Sequence, residues 1–101
     1  MPLDPRGSVK ERTRSSVREP KMYNVVMLND DFTTMDFVVE ILIDIFHKDD
    51  VTAEALMMKV HREGSAIVGR YTYDIAATKV NEALSRARTK GFPFQMRIEE
   101  A

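Results

Sequence analysis

The segment Asn29-Asp30-Asp31 ends a strongly apolar run, Tyr23–Leu28, and offers the groups best suited to binding chemistry in this chain. An ionised Asp can only accept hydrogen bonds, whereas an Asn amide both accepts and donates them. Together these side chains could hold an ammonium group and a neighbouring peptide carbonyl. The alternative is ordinary turn chemistry, because Asn and Asp are common between a strand and a helix and acids suit a helix N-terminus.

His61 is the second candidate and lies near the end of a predicted helix. It shares one helix face with Met57 and Val60, so that face is apolar with one polar tip. A neutral imidazole nitrogen could accept a hydrogen bond from an ammonium group. The alternative is a solvated surface histidine.

The seven methionines are explained most simply as core fillers, although an adaptable pocket would use the same residue type.

The residue inventory argues against most catalytic sites. Cysteine is absent, so a thiolate nucleophile, a disulfide and a thiolate zinc site are all ruled out. Ser65 is not part of a G-x-S-x-G elbow, and the chain has no H-E-x-x-H metal spacing. Asp30, Asp31 and His61 could in principle hold a metal, which leaves a metal-dependent enzyme as one hypothesis. No cofactor is otherwise expected.

Composition indicates an ordinary globular protein with at most one domain. The 101 residues are 44% hydrophobic and 31% charged. No apolar run approaches the roughly 18 residues of a membrane span, and a net charge of -1 gives no reason to expect nucleic acid or membrane as a partner. Residues 1–21 carry six Lys/Arg against three Asp/Glu and are rich in Pro, Gly and Ser. They are predicted to form a flexible N-terminal extension before a core domain over residues 22–101.

Hydrophobic periodicity predicts six elements in the order β-α-α-β-α-β. Apolar residues on both faces of the first strand favour a central position in the sheet. The predicted fold class is α+β, a small sandwich in which a three-stranded antiparallel sheet packs against three helices. The predicted ranges are strand 23–28, helix 33–47, helix 51–63, strand 65–71, helix 72–90 and strand 94–99.

Capping residues define the predicted helix ends. Thr33 is the expected N-cap of the first helix, with Asp36 as the acid of a capping box. Asp50 or Thr52 is expected to cap the second helix, and Gly64 to end it. The inward face of the third helix is expected to hold Ile75, Ala76, Val80, Ala83, Leu84 and Ala87.

Three stretches of the chain, YNVVMLNDDFTTMDFVVEIL, ALMMKVHREGSAIVG and YDIAATKVNEAL, resemble the ClpS adaptor family over roughly residues 22–101. The resemblance implies a monomeric, non-catalytic adaptor of the bacterial cytoplasm that recognises N-degrons, the destabilising N-terminal residues of substrate proteins. It implies that substrates are handed to the N-terminal domain of the AAA+ unfoldase ClpA, which feeds the protease ClpP. The expected substrates begin with Leu, Phe, Tyr or Trp.

The resemblance also implies a role for each site residue. The substrate's free α-amino group would be bound by Asn29, Asp30 and His61, with Asp31 supporting the loop. The N-terminal side chain would enter a pocket lined by Thr33, Met35, Val38, Met57 and Val60, which Phe94 would help to close. Met35 stands where the family has a methionine that restricts β-branched side chains.

Two departures from the family's pattern bear on docking and on the pocket rim. Asp74 and Lys79 match the pattern of the family's ClpA interface, although Ala77 stands where Glu is common. Thr34 replaces a Pro that is usual in the family, and a Pro in a first helical turn is preorganising. We therefore expect a looser rim or an altered specificity.

A protein-interaction module resembling the ribosomal stalk C-terminal domain is the alternative of a different class. Its binding surface would lie on a helix, and it would not recognise N-terminal residues. Asp30→Ala or His61→Ala would then have no effect on its binding.

Overall fold

The central strand of the sheet is β1, Tyr23–Leu28, which pairs antiparallel with β2, Ser65–Tyr71, and with β3, Met96–Glu100. The computed structural model describes residues 19–101. Helices α1, Met35–Asp44, and α2, Asp50–Glu63, connect β1 to β2, and α3, Tyr73–Lys90, connects β2 to β3. The predicted order β-α-α-β-α-β, the central first strand and the α+β class are therefore confirmed.

The core lies between the sheet and the helices. Val25 and Met27 are fully buried and belong to the main apolar cluster, whereas Val26 is buried outside that cluster. Burial of each large apolar side chain contributes about 1.5–3 kcal/mol, so apolar packing is the main reason that the inner face of α1 stays in this core. This inner face consists of Phe37, Val38, Ile41 and Leu42.

The helix N-caps differ from those expected. Thr34, not Thr33, caps α1, and its hydroxyl accepts a hydrogen bond from the Phe37 N–H at 3.1 Å. The capping box with Asp36 was therefore wrong, because Asp36 is two residues from the actual cap. The φ of -74° at Thr34 is also accessible to Pro, so the family's usual Pro would fit but would lack the capping hydroxyl. Asp49, rather than Asp50 or Thr52, caps α2.

The helix ends follow from local backbone conformation. α1 ends at Asp44 rather than at His47, because His47 adopts a left-handed conformation with φ 58°. Gly64 ends α2 with φ 90°, as predicted, a conformation that favours glycine.

The third helix buries a narrower face than expected. Ile75 is 49% exposed, so its predicted inward position was wrong, and Leu84 is only partly buried. Both lie one position, or about 100° of helix rotation, from the buried row. That row is Ala76, Val80, Ala83 and Ala87.

Residues 1–18 of the predicted N-terminal extension lie outside the described residues. At the start of the described part, the Lys21 ammonium pairs with the Glu100 carboxylate at 3.0 Å, and Ala101 N–H donates to the Met22 carbonyl. The two ends of the described chain therefore meet beside the sheet. No helix within residues 19–101 is long and apolar enough to cross a membrane.

Candidate functional site

A pocket of about 230 Å³ opens between the loop that follows β1, the start of α1 and the last turns of α2. It brings together every residue that the sequence analysis assigned to amine binding, to loop support or to the apolar pocket, except Phe94. The volume is below the roughly 300 Å³ lower end of drug-sized sites, so the pocket suits one side chain rather than a large cofactor. Its lining residues are Asn29, Asp30, Asp31, Thr33, Met35, Val38, Met57, Val60 and His61.

Asp30 organises the loop after β1, which we call the rim loop (residues 29–34). Its Oδ1 accepts hydrogen bonds from the N–H groups of Phe32 at 2.8 Å and Thr33 at 2.7 Å, and its Oδ2 accepts one from the Thr33 hydroxyl at 2.7 Å. Partial burial alone would raise the pKa of Asp30, but the donors of Thr33 and Phe32 outweigh it and hold that pKa below its ordinary value of 3.8. The carboxylate therefore stays ionised and mostly engaged within the loop.

Asp31 is the freer of the two adjacent acids. It is exposed, and it makes no hydrogen bond or ion pair with any other residue in the part of the chain that the structure describes. The loop-supporting hydrogen bonds, which the sequence analysis assigned to Asp31, are thus made by Asp30. Asp31 is therefore an exposed acid that lines the pocket and has a free carboxylate within the described residues.

Asn29 and His61 are brought to the same rim by a backbone contact. The Asn29 N–H donates to the Gly64 carbonyl at 2.9 Å, which joins the end of β1 to the residue that terminates α2. His61 lies in the last turn of α2. Within residues 19–101, neither side chain has a hydrogen-bond partner, so an amide oxygen and an imidazole nitrogen are free to accept. We call Asn29, Asp31 and His61 the polar rim.

The floor of the pocket is apolar and is built by two helices. Val38 of α1 and Val60 of α2 are buried, and Met57 is partly buried. Met35 and Val38 are three residues apart on α1, as are Met57 and Val60 on α2, so each pair lies on one helix face. Met35 is 44% exposed and stands at the entrance. A charged amine and an apolar side chain could therefore bind side by side.

Phe94 does not line this pocket. It is buried, its ring packs edge-on against Phe37 with 5.7 Å between centroids, and it lines a separate cavity next to Phe92 and Arg88. Phe94 belongs to the buried core, and its expected role in closing the pocket stays a prediction.

The two residues expected at the docking face differ in their surroundings. Asp74 is exposed in the first turn of α3. The Lys79 ammonium instead points inward, donates to the Ile45 carbonyl at 2.7 Å, and lies 5.9 Å from the centre of the Phe46 ring and 5.3 Å from that of Tyr71. Lys79 thus binds the end of α1 through a charged hydrogen bond and cation–π contacts.

The exposure of the Phe32 side chain was not predicted from the sequence. Its side chain is 75% exposed, although it lies between Asp31 and Thr33, which both line the pocket. An aromatic residue within a turn-forming stretch was the available signal.

Within residues 19–101, no cluster of three or more potential metal ligands occurs, so Asp30, Asp31 and His61 do not form a metal-binding cluster.

Comparison with known proteins gives one consistent result. The family described as "ATP-dependent Clp protease adaptor protein ClpS" matches residues 18–97. The ATP-dependent Clp protease adapter protein ClpS of Paraburkholderia xenovorans is 52% identical over 94% of this chain and 91% of its own length. The protein of the same name from Burkholderia mallei is 51% identical with the same coverage. The solved structure of Agrobacterium tumefaciens ClpS2 bound to L-phenylalaninamide is 40% identical, covers 82% of this chain and 100% of its own, and has a TM-score of 0.79.

Proposed function

The chain belongs to the ClpS family of Clp protease adaptors and is not an enzyme, and we propose that its pocket binds the N-terminal residue of substrate proteins. The polar rim would accept hydrogen bonds from the free α-amino group, and the apolar floor would hold the first side chain. The ligands would begin with Leu, Phe, Tyr or Trp, the residues that the family resemblance implies.

The observation that carries this proposal is the direct adjacency of the polar rim and the apolar floor in one small pocket. A chain N-terminus offers the complementary chemistry, because a positive amine is one bond from the carbon that bears the side chain. The ligand of the related ClpS2, L-phenylalaninamide, has a free amine, a benzyl side chain and no free carboxylate, which fits the same description.

The proposed roles follow from the hydrogen bonds. Asn29, Asp31 and His61 each have an acceptor free within the described residues and would contact the ammonium. Asp30 would contribute mainly by fixing the rim loop and by its negative charge, since three of its acceptor positions are used within the loop. This revises the assignment from sequence, which gave amine binding to Asp30 and support to Asp31.

The pocket floor supports the proposed preference for an apolar first residue. Burial of a Leu or Phe side chain against Val38, Val60 and Met57 contributes about 1.5–3 kcal/mol. A charged first side chain would lose its hydration without finding a partner on this floor. The shape of Met35 at the entrance would disfavour side chains that branch at Cβ.

The test compares peptides that begin with Leu or Phe with their N-acetylated twins, using fluorescence anisotropy. Acetylation removes the positive charge and leaves rim acceptors desolvated, so we expect affinity to fall at least about a hundredfold, since each charged hydrogen bond is worth about 1.5–3 kcal/mol. Equal binding of the two forms would contradict the proposal.

A matched pair of histidine variants separates the site from general effects. We expect His61→Ala to weaken peptide binding about tenfold through loss of one hydrogen bond to the ammonium. His47→Ala changes the other histidine of the chain, which is outside the pocket, and should leave affinity unchanged. Circular dichroism checks that both variants are folded.

Delivery is the second half of the proposal. The adaptor would act as a monomer in the bacterial cytoplasm and hand bound substrates to the N-terminal domain of a ClpA-type AAA+ unfoldase. Asp74, which is exposed and outside the pocket, would contact the unfoldase. Lys79 would not contact the unfoldase but would position the docking surface by holding the start of α3 against the end of α1.

A further inference from the structure

Phe32 exposes a large apolar surface next to the pocket in the chain, although it is not itself one of the lining residues. Its side chain is 75% exposed, and its chain neighbours Asp31 and Thr33 both line the pocket. A single exposed apolar residue is common on protein surfaces. Among the other exposed large apolar residues of the described chain, Met35 alone lines the pocket, so the position of Phe32 in the rim loop sets it apart from the rest. The residues outside the pocket are Val51, Ile67, Tyr73 and Ile75.

The backbone that carries Phe32 is held rigidly. The Phe32 N–H donates to Asp30 Oδ1 at 2.8 Å, and the next residue donates to the same carboxylate through both its N–H and its hydroxyl at 2.7 Å. The aromatic ring is therefore presented from an ordered turn. A contact made by a preorganised side chain loses less conformational entropy on binding.

The proposed binding mode sets where the rest of a ligand must go. If the amine meets the polar rim and the first side chain lies against Val38 and Val60, the second residue emerges at the pocket entrance. The rim loop lines part of the pocket and also carries the exposed Phe32, with Met35, 44% exposed, three residues further along the chain. An apolar second side chain can therefore bury surface there, whereas a small polar one gains little.

We infer that Phe32 forms the wall of a second subsite, which binds a large aliphatic or aromatic side chain at the second position of the ligand. This inference rests on the proposed function of the pocket. It adds a selection by the second residue to the selection by the first. Aromatic side chains are the best ligands, because edge-on or offset stacking adds to the apolar contact.

The experiment measures a ratio of affinities. Two peptides start with Leu and differ only in the second residue, Phe in one and Ser in the other. The unaltered full chain should bind the Phe peptide about fivefold more tightly, the gain expected for one partly exposed aromatic contact. In Phe32→Ser the ratio should fall to about one. Because the ratio is the readout, a general weakening of binding does not obscure the result.

Two further variants make the result specific. Phe32→Tyr keeps the ring and should preserve the ratio. Val51→Ser also replaces an exposed apolar residue, but one outside the pocket, and should preserve it as well. Loss of the ratio in Val51→Ser would point to a global effect and overturn the inference.

The outcomes also distinguish this inference from the proposed function. Failure of both peptides to bind the unaltered chain would refute the proposed function and the subsite together. Equal binding of the two peptides, or an unchanged ratio in Phe32→Ser, would refute the subsite alone. If Phe32→Ser kept the ratio but lost unfoldase-dependent degradation, the ring would be a docking residue instead of a substrate contact.

Discussion

At the scale of single residues, the two adjacent aspartates of the rim loop have different tasks. Asp30 accepts three hydrogen bonds within the loop, whereas Asp31 has no such partner in the described part of the chain. Two neighbouring acids have the same chemistry in a sequence, so their different tasks follow from the hydrogen bonds that each makes in the fold. We therefore expect substitution of Asp30 to affect mainly stability and substitution of Asp31 to affect mainly binding.

Asp31→Asn and Asp30→Asn should affect different measurements. Asp31→Asn removes a negative charge from the polar rim, so it should weaken binding of a Leu-starting peptide about tenfold and change the free energy of unfolding by less than about 0.5 kcal/mol. Asp30→Asn weakens the acceptor of three loop hydrogen bonds and should lower the free energy of unfolding by about 1 kcal/mol. Urea denaturation and anisotropy measure the two effects. Loss of stability in Asp31→Asn with none in Asp30→Asn would reverse the assignment.

The Asp30 carboxylate also predicts a dependence of stability on pH. Its pKa in the folded chain is below the ordinary value of 3.8, so the unfolded chain takes up this proton at a higher pH than the folded chain does. The free energy of unfolding should therefore decrease as pH falls from about 3.8 through the folded pKa. In Asp30→Asn this part of the decrease should be absent. The free energies of unfolding of the variant and of the unaltered chain, plotted against pH, should therefore converge in acid. A carboxyl-carbon NMR titration of Asp30 with a midpoint above 3.8 would contradict the prediction.

At the scale of elements, α3 is anchored to the end of α1 by Lys79. The ammonium donates to the carbonyl of Ile45, the residue that caps α1, and lies over the rings of Phe46 and Tyr71. α1 carries Met35 and Val38 of the pocket, and α3 carries Asp74. Lys79 therefore connects the helix that forms the pocket to the helix expected to meet the unfoldase.

Lys79→Met should destabilise the fold while keeping most of the apolar stem. The Ile45 carbonyl loses a charged donor, and we expect the free energy of unfolding to fall by about 1–2 kcal/mol. Lys59→Met, an exposed lysine on α2 without a described ion pair, is the matched control and should change it by less than about 0.5 kcal/mol. Equal effects of the two substitutions in urea denaturation would show that the Lys79 contacts contribute nothing.

The elements could be predicted from periodicity, but their caps could not. Thr33 and Thr34 are both competent N-caps by residue type, and the hydroxyl of Thr33 is already donated to Asp30, which leaves Thr34 for the helix. Asp49 and Asp50 pose the same ambiguity at α2. Ile75 and Ala76 were both placed inward because both are apolar, yet one step along a helix rotates a side chain by about 100°.

The site could be predicted because its motif recurs in a known family, and nine of the ten residues assigned to it line one pocket. The exception is Phe94, which was assigned to the pocket from the family resemblance. It was predicted to begin the last strand, but β3 begins at Met96, and Phe94 lines a separate cavity. The exposure of Phe32 depends on the fold of the rim loop around Asp30. No pattern of apolar and polar residues specifies that fold.

At the scale of the whole molecule, the pocket and the proposed docking surface are separate. The pocket is formed by the rim loop, α1 and α2, and none of its lining residues comes from α3. Asp74, at the start of α3, is therefore outside the substrate site. An adaptor requires this arrangement, because it must hold a substrate and contact the protease machinery at the same time.

This separation predicts a variant that binds substrates but does not deliver them. Asp74→Lys reverses a charge outside the pocket, so affinity for a Leu-starting peptide should change by less than about twofold, within the range of surface substitutions. Degradation of a Leu-starting substrate by a ClpA-type unfoldase with its protease should slow severalfold, because charge reversal at an interface raises the cost of docking. Glu54→Lys makes the same change of net charge on the exposed face of α2 and should keep both activities. If both variants slowed degradation equally, net charge rather than the start of α3 would control delivery, and if neither did, the docking surface would lie elsewhere on the molecule.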